Sequence, residues 1–314
     1  METQQRSTEY NLQGVMYFFR RDKVQCRYQF SLRDAVDITL LQRALTTALA
    51  SAPYYTQRLV QEKREMWLEP NTEPCLVYPG STMRNIPEQT NGYLFCISCE
   101  GDTVYFDWHH FLLDGHGVSP LFTSILEQYC NLRYGTAFAV QQIVCDPPYD
   151  MQAMLAEHPP VEGGSDAIQR DVVQTYEGAL RRTRVCLSKQ SLVEKALANN
   201  AKPVSALMSL LCMAMREYLG KEKIQYSYSS DTRDVAGVPN ALYNCVCSFE
   251  HTVQLQANTR LADLVSDIDA DIKRDLQPQS KRRRMTEQMG WVYKVDQQTA
   301  PLRIKQRVFQ MGED

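Results

Sequence analysis

The sequence has no excess of charge of either sign and little glycine or proline. Its 314 residues include 34 Lys and Arg against 37 Asp and Glu, a formal net charge of −3, with 14 glycines and 14 prolines. The near balance of charge excludes the strongly basic surface typical of proteins that bind nucleic acids or acidic membranes. The small glycine and proline fractions exclude fibrous and low-complexity chains. With 44% hydrophobic residues, the composition indicates a globular protein of one large domain or two lobes.

Long hydrophobic runs are also absent. The longest, ALMSLLCMAM at 206–215, is shorter than the roughly 20 residues that a membrane-spanning helix needs, and it is typical of a buried helix. The first residues, METQQRSTEYNLQGV, contain neither the apolar segment of a signal peptide nor the Arg-rich face of a transit peptide. We therefore expect a cytoplasmic protein without a membrane span.

The ten cysteines show no spacing typical of a metal or redox site. Cys96 and Cys99 form a lone CxxC in an extended segment, with no second CxxC and no histidine at zinc-ligand spacing. Cys245 and Cys247 lie on one face of a predicted strand, which is a packing pattern. The sequence thus predicts reduced cysteines and no bound metal.

Hydrophobic periodicity predicts that strands and helices are mixed in both halves of the chain. Strands are expected at 14–32, 65–69, 93–99, 103–109, 224–229 and 245–255. Helices are expected at 38–51, 117–133, 188–199, 204–219 and 259–276, with Asp37, Ser119 and Ser188 as caps. Glu100-Gly101-Asp102 is expected to join two of the strands as a hairpin. This mixture favours an α/β (α+β) fold.

The composition changes between 145 and 165, where prolines and glycines cluster in DPPYDMQAMLAEHPPVEGGS. Such a segment is typical of a linker. We predict an N-terminal lobe at 1–145, a linker at 146–167 and a C-terminal lobe at 168–314.

Histidine is scarce but clustered. Of five histidines, three occur at His109, His110 and His116, between a predicted strand and a predicted helix, where α/β proteins place reactive side chains. A histidine there can take a proton from an alcohol, amine or thiol and return it to a leaving group. A histidine pair in an ordinary core turn is the alternative. Metal ligation is disfavoured because His109 and His110 point to opposite sides of a strand.

The segment HHFLLDG at 109–115 matches the pattern HHxxxDG. In this the chain resembles the chloramphenicol acetyltransferase-like superfamily, which includes alcohol O-acetyltransferases, polyketide-associated acyltransferases and the condensation domains of nonribosomal peptide synthetases. The helices predicted within 188–215 resemble the paired helices that begin the second lobe of that family. SDTR at 230–233, followed by Asn240 and Asn244, resembles its Asp-x-Arg and Asn-x-x-x-Asn stretch. The resemblance implies a two-lobe α/β sandwich, closest in type to alcohol O-acetyltransferases.

The resemblance also implies roles for three residues of the motif. His110 would be the general base that deprotonates an alcohol or amine acceptor for attack on an acyl thioester. Asp114 would be structural. Gly115 would leave space at a tunnel between the lobes and offer its N–H to the oxyanion of the tetrahedral intermediate. The acyl donor would be acyl-CoA or an acyl-carrier thioester, so no permanently bound cofactor is expected.

Three further residues would support the motif. Arg233 is the expected ion-pair partner of Asp114, and His109 and Asn244 are expected to be supporting residues. The partners implied are a small-molecule acyl acceptor and an acyl carrier protein, with no nucleic acid.

The sequence departs from the family towards its end. Family members have a longer second lobe that returns to the first through bridging strands and contains a motif like Asp-Phe-Gly-Trp-Gly, for which MGWV at 289–292 is the nearest match. These departures predict a shortened second lobe. They leave open a second function, in which the chain is a catalytically inactive condensation-like binding or scaffold domain, or a fragment of a nonribosomal peptide synthetase condensation domain.

One dense positive run remains, KRRR at 281–284. It is expected either to be a solvated loop or to contact the phosphates of coenzyme A or the acidic face of a carrier protein.

Overall fold

The computed structural model describes residues 12–20, 25–159 and 186–311. Eight strands lie within these ranges: β1 Gln25–Ser31, β2 Gln57–Gln61, β3 Met66–Pro70, β4 Val77–Pro79, β5 Phe95–Glu100, β6 Thr103–His109, β7 Lys223–Asp231 and β8 Val246–Gln254. The helices in the same ranges are α1 Leu12–Phe19, α2 Ile38–Ala50, α3 Gly115–Tyr134, α4 Met151–Glu157, α5 Lys189–Ala198, α6 Pro203–Leu219, α7 Arg233–Ala236, α8 Leu261–Asp275, α9 Pro278–Asp296 and α10 Leu302–Met311. Among these residues, no helix is long and apolar enough to cross a membrane.

A four-stranded sheet carries the histidine-rich segment. Its strand order is β1-β6-β5-β4, with β6 antiparallel to β1 and β5, and β4 parallel to β5. Strands β5 and β6 form the predicted hairpin, in which Gly101 takes a left-handed φ of 59°, a conformation that glycine adopts without steric cost. The register pairs Gln25 with His109. The C-terminal end of the inner strand β6 therefore lies beside the beginning of β1, and the histidine segment continues from there.

Helices α2 and α3 pack against each other, and α3 also packs on this sheet through Phe122, whose ring meets that of Phe106 edge to face at 5.6 Å. Leu41 and Leu45 of α2 and Ile125 of α3 are fully buried. Burying such side chains stabilises the fold by about 1.5–3 kcal/mol each. The core that supports β6 is therefore built from helices on either side of the motif in sequence.

The chain groups into two compact units that are interleaved along the sequence. The first takes its described residues from Met1–Glu157, Asp231–Val246 and Gln288–Asp314, and the second from His158–Ser230 and Cys247–Glu287. The sequence predicts a different division of the chain, into contiguous lobes at 1–145 and 168–314 with a linker at 146–167. That division stays a prediction. Within that linker, Met151–Glu157 forms α4, and residues 160–167 lie outside the described residues.

The second unit has its own core, formed by α6, α8 and the paired strands β7 and β8. Cys212, Ile224 and Ile268 are among its buried side chains. Asp269 on α8 is also buried, and its carboxylate accepts hydrogen bonds from Lys202 N and Ser205 Oγ at 2.8 and 2.7 Å. This carboxylate therefore joins α8 to the beginning of α6.

Most predicted elements of the sequence are confirmed within a few residues, including α2, α5, α6, α8 and the β5–β6 hairpin. The predicted cap of α2 is also confirmed, because Asp37 Oδ1 accepts hydrogen bonds from Thr39 N and Leu40 N at 2.9 and 3.1 Å. These elements have strong local signals, namely regular apolar spacing and a side chain that satisfies first-turn N–H groups.

The strand predicted at 14–32 is wrong in its first part. Residues Leu12–Phe19 form helix α1, and only Gln25–Ser31 is a strand; residues 21–24 lie outside the described residues. The sequence VMYFF is rich in aromatic side chains that favour strands, but in the structure tertiary contacts of these side chains outweigh that preference. An isolated helix of this length is marginal in water.

Two other expectations are corrected. Helix α3 begins at Gly115, earlier than the predicted start at 117. Its cap is Asp114 and not the predicted Ser119, because the Asp114 carboxylate accepts a hydrogen bond from Gly117 N. The segment after 276 contains α9 and α10, which the sequence did not predict, and the MGWV residues 289–292 lie inside α9.

Candidate active site

The histidine motif occupies the turn between β6 and α3, and the side chains that surround it belong to the first compact unit. His109 is the last residue of β6; its backbone N donates to Leu94 O at 2.8 Å. Its buried ring accepts a hydrogen bond at Nδ1 from Phe111 N at 3.0 Å. His109 thus stabilises the turn, and the supporting role expected of it stays a prediction.

The imidazole of His110 is held at one edge and on one face. Asn244 Nδ2 lies 2.6 Å from His110 Nδ1 and donates to the carbonyl oxygen of His110 at 3.1 Å. The ring of Tyr17 stacks on the imidazole, with ring centroids 4.2 Å apart and an angle of 7° between the planes. Because Nδ1 is occupied by Asn244, Nε2 is the ring nitrogen left to exchange a proton.

Burial of the imidazole lowers the pKa of His110 below its ordinary value of 6.5, and interactions with backbone carbonyl groups and with Asp114 offset this only in part. The neutral ring therefore predominates at pH 7. With the amide nitrogen of Asn244 towards Nδ1, as in the structure, the neutral ring carries its hydrogen on Nε2. A half-turn of the amide, which places its oxygen towards Nδ1, moves the hydrogen to Nδ1 and leaves a lone pair on Nε2, at the cost of the bond from Asn244 Nδ2 to the carbonyl oxygen of His110.

Asp114 is a buried junction between three segments of the chain. Its Oδ1 accepts hydrogen bonds from Gly117 N at 2.8 Å and from Arg233 Nη2 at 3.0 Å, and its Oδ2 accepts from Cys245 N at 3.0 Å. The first bond caps α3, and the other two attach the motif to the segment that carries Asn244. These bonds engage both carboxylate oxygens, and the structural role expected of Asp114 stays a prediction.

Arg233 is equally enclosed, since its side chain and that of Asp114 are each 5% exposed. Besides Asp114, its guanidinium donates to the carbonyl oxygens of Ala241 and Tyr243 at 2.7 and 2.8 Å and to Asp231 Oδ1 at 3.1 Å. Burial opposes the charge of Arg233, but the hydrogen bond and charge of Asp114 outweigh it and raise the pKa of the guanidinium. The structure therefore brings Asp114, Arg233 and Asn244 together around the motif.

The two glycines of the turn have different surroundings. A Cβ added to Gly117 would lie 1.7 Å from Leu242 O, whereas one added to Gly115 would meet only Tyr28 Oη, at 3.1 Å. Gly117 is thus required for close backbone packing, and its N–H is used by Asp114. Gly115 is exposed in the first turn of α3, where backbone N–H groups have no intrahelical acceptor. That position is compatible with the oxyanion contact expected of Gly115, which stays a proposal.

Other candidates lie away from His110. Asn240 bonds Asp146, through its N at 2.7 Å and its Nδ2 at 3.3 Å. Cys96 and Cys99 are buried free thiols. Burial raises the pKa of both, that of Cys96 to about 12, so they are protonated at neutral pH. Among the residues that the structure describes, no three His, Cys, Asp or Glu side chains are placed to hold a metal ion.

The basic run 281–284 is in the first half of α9. Two of its four side chains make ion pairs with Glu287: Arg283 Nε at 2.7 Å and Arg284 Nη1 at 3.8 Å. Arg284 Nε also donates to Ser248 O at 2.6 Å. The guanidinium groups of Arg283 and Arg284 therefore already have acidic or carbonyl partners. Contact of the basic run with coenzyme A or a carrier protein stays a prediction.

The residue that sequence reasoning missed is Tyr17. The spacing of Gly14, Tyr17 and Phe18, at i, i+3 and i+4, was the available signal, because it places all three on one face of a helix. The aromatic content of the same segment predicts a strand, and that prediction took precedence over the helical spacing.

No protein-family model and no curated protein matches the sequence. Solved structures do match. Polyketide synthase associated protein 5 from Mycobacterium tuberculosis has a TM-score of 0.66 at 19% identity, over 88% of this chain and 76% of that one. The first condensation domain of the CDA synthetase has a TM-score of 0.57 at 14% identity, over 89% and 76%. F. graminearum TRI101, complexed with coenzyme A and T-2 mycotoxin, has a TM-score of 0.60 at 12% identity, over 93% and 79%.

These similarities establish the fold. The chain has a mixed α/β architecture with open sheets, similar to that of these solved structures, so the predicted fold class is confirmed.

Proposed function

We propose that the protein is an acyltransferase in which His110 is the general base, acting on an alcohol or amine acceptor and an acyl thioester. The observation that carries the proposal is the setting of His110: a neutral imidazole at the end of a core strand, held by Asn244 at Nδ1 and supported by the Asp114–Arg233 pair. Solved structures with this fold include a condensation domain and, separately, an F. graminearum TRI101 complex that contains coenzyme A. Acyl-CoA or an acyl-carrier thioester is the proposed donor.

The proposed step balances without a metal or redox partner. His110 Nε2 takes the proton of the acceptor O–H or N–H while the acceptor atom forms a bond to the thioester carbonyl carbon. The tetrahedral intermediate then expels the thiolate, which recovers the proton from Nε2. Nε2 can accept that proton only when the ring hydrogen is on Nδ1, so in the reacting form Asn244 presents its amide oxygen to Nδ1. Gly115 N–H is the proposed donor to the oxyanion.

The test is thiol release from acetyl-CoA, longer acyl-CoAs and acyl-pantetheine thioesters, with a panel of alcohols and amines. We expect acceptor-dependent release that falls by about 10²-fold or more in His110→Ala, because general-base catalysis contributes about that much. His116→Ala is the matched control, since His116 directly follows the motif but its side chain is 57% exposed. If no donor gives release above that of His110→Ala, the proposal is wrong and the alternative, an inactive condensation-like binding domain, is favoured.

The rate of acyl transfer should fall on the acidic side of neutrality. Only the neutral imidazole is a base, and burial holds the pKa of His110 below 6.5. Activity should therefore be close to its maximum above pH 6.5, and it should be lost as the pH falls through the lowered pKa of His110. The measurement is kcat/KM against pH in buffers that leave the far-ultraviolet circular dichroism unchanged. A fall in kcat/KM on the acidic side with its midpoint above pH 6.5 would contradict this prediction.

A further inference from the structure

We propose that Tyr17, on helix α1, is a positioning residue for His110: its ring fixes the plane of the imidazole and excludes water from one of its faces. This inference rests on the proposed function for its catalytic meaning, but the contact itself does not depend on that function.

The stack between Tyr17 and His110 is close to parallel, at 4.2 Å and 7°. The face contact by Tyr17 and the edge contact by Asn244 restrict different motions. Stacking opposes tilting of the ring, and the hydrogen bond at Nδ1 opposes rotation within the ring plane. Together they determine the direction of Nε2.

Helix α1 is held against the motif at its first half. A Cβ at Gly14 would lie 2.5 Å from Phe111 O, so only glycine permits this approach of the helix to the residue after His110. Gln13 is 1% exposed, and its Nε2 donates to Val246 O at 2.7 Å. Because Gly14 and Tyr17 share a helix face, the contact at Gly14 brings Tyr17 over the imidazole.

The second half of α1 is held by α10. The rings of Phe19 and Phe309 are 5.8 Å apart, and Gln310 Nε2 donates to Phe19 O at 2.9 Å. Tyr17 therefore lies between two fixed points of the helix. Burial also raises the pKa of Tyr17, so its ring is uncharged at neutral pH.

These contacts give Tyr17 a measurable effect on His110. Burial is the largest cause of the lowered pKa of His110, and Tyr17 covers one face of the ring. Removing the tyrosine ring admits water and should raise the pKa of His110 towards its ordinary value. It should also free the imidazole to tilt, and misplacement of a catalytic group on the order of 1 Å costs up to about 10²-fold in rate.

The experiment is histidine NMR titration of the full chain, with His110 assigned by its absence in His110→Ala, combined with the thiol-release assay. In Tyr17→Ala we expect the His110 midpoint to rise and kcat to fall about tenfold or more with little change in KM. Tyr17→Phe keeps the stacking ring and loses only the hydroxyl with its hydrogen bond to Asn244, so it should restore most of both. Phe18→Ala is the matched control, because Phe18 packs edge-on against Phe111 at 6.3 Å on the same helix face.

Each outcome decides the inference. If the His110 midpoint does not move in Tyr17→Ala, or moves equally in Phe18→Ala, Tyr17 is not a positioning residue. If Tyr17→Ala does not fold, Tyr17→Leu, which keeps the apolar volume without an aromatic ring, is titrated in its place. If the wild-type chain releases no thiol, the proposed function fails, while the titration still tests the contact of Tyr17 with His110.

Discussion

Gly117→Ala should disrupt the junction between the histidine motif and the segment that carries Asn244. The added Cβ would lie 1.7 Å from the carbonyl oxygen and 2.6 Å from the carbonyl carbon of Leu242. Both are backbone atoms, so no side-chain rotation relieves the overlap. The two segments must separate, which also strains the bond from Gly117 N to Asp114 and moves Asn244 away from His110. We expect a loss of about 4 kcal/mol or more in the free energy of unfolding.

Urea denaturation of the full chain measures this loss. Gly115→Ala is the matched control, because its Cβ meets only the end of the Tyr28 side chain, at 3.1 Å. That change should alter the free energy of unfolding by less than about 1 kcal/mol. Equal stability of the two variants would show that Leu242 does not lie against the beginning of α3.

Arg233→Met should have the second-largest effect. It leaves the carboxylate of Asp114 buried without its cationic partner and removes the guanidinium from the carbonyl oxygens of Ala241 and Tyr243. Removing one partner of a buried ion pair costs about 3–5 kcal/mol. The cost arises mainly from the uncompensated charge, so the double variant Arg233→Met, Asp114→Leu should be less destabilised than the sum of the two single variants.

The control for this cycle is the exposed pair Arg58 and Glu69, whose charged atoms are 2.6 Å apart with side chains 48% and 33% exposed. Arg58→Met should cost less than about 1 kcal/mol, because water screens an exposed pair. Urea denaturation of the single and double variants of each pair gives the two coupling energies. Additive effects at Asp114 and Arg233 would mean that their contact does not contribute to stability.

The site was partly predictable. The strand, turn and helix that carry His110 follow from local pattern, and resemblance to a known family indicated Arg233 as the partner of Asp114. The stacking of Tyr17 was not predictable in this way, because α1 was expected to be a strand. The start of α3 was also misplaced, since Asp114 was assigned to the ion pair and not recognised as the cap.

The sequence by itself determined the local elements and the position of the motif. Regular apolar spacing, the cap at Asp37 and the turn at Gly101 act over a few residues, so they can be read from neighbours in the chain. The tertiary structure alone decided which distant groups meet. Asp114 and Arg233 are 119 residues apart, and His110 and Asn244 are 134 apart. Such contacts form only when packing outweighs the entropy of closing long segments of chain, and short helices such as α1 take their conformation from that packing.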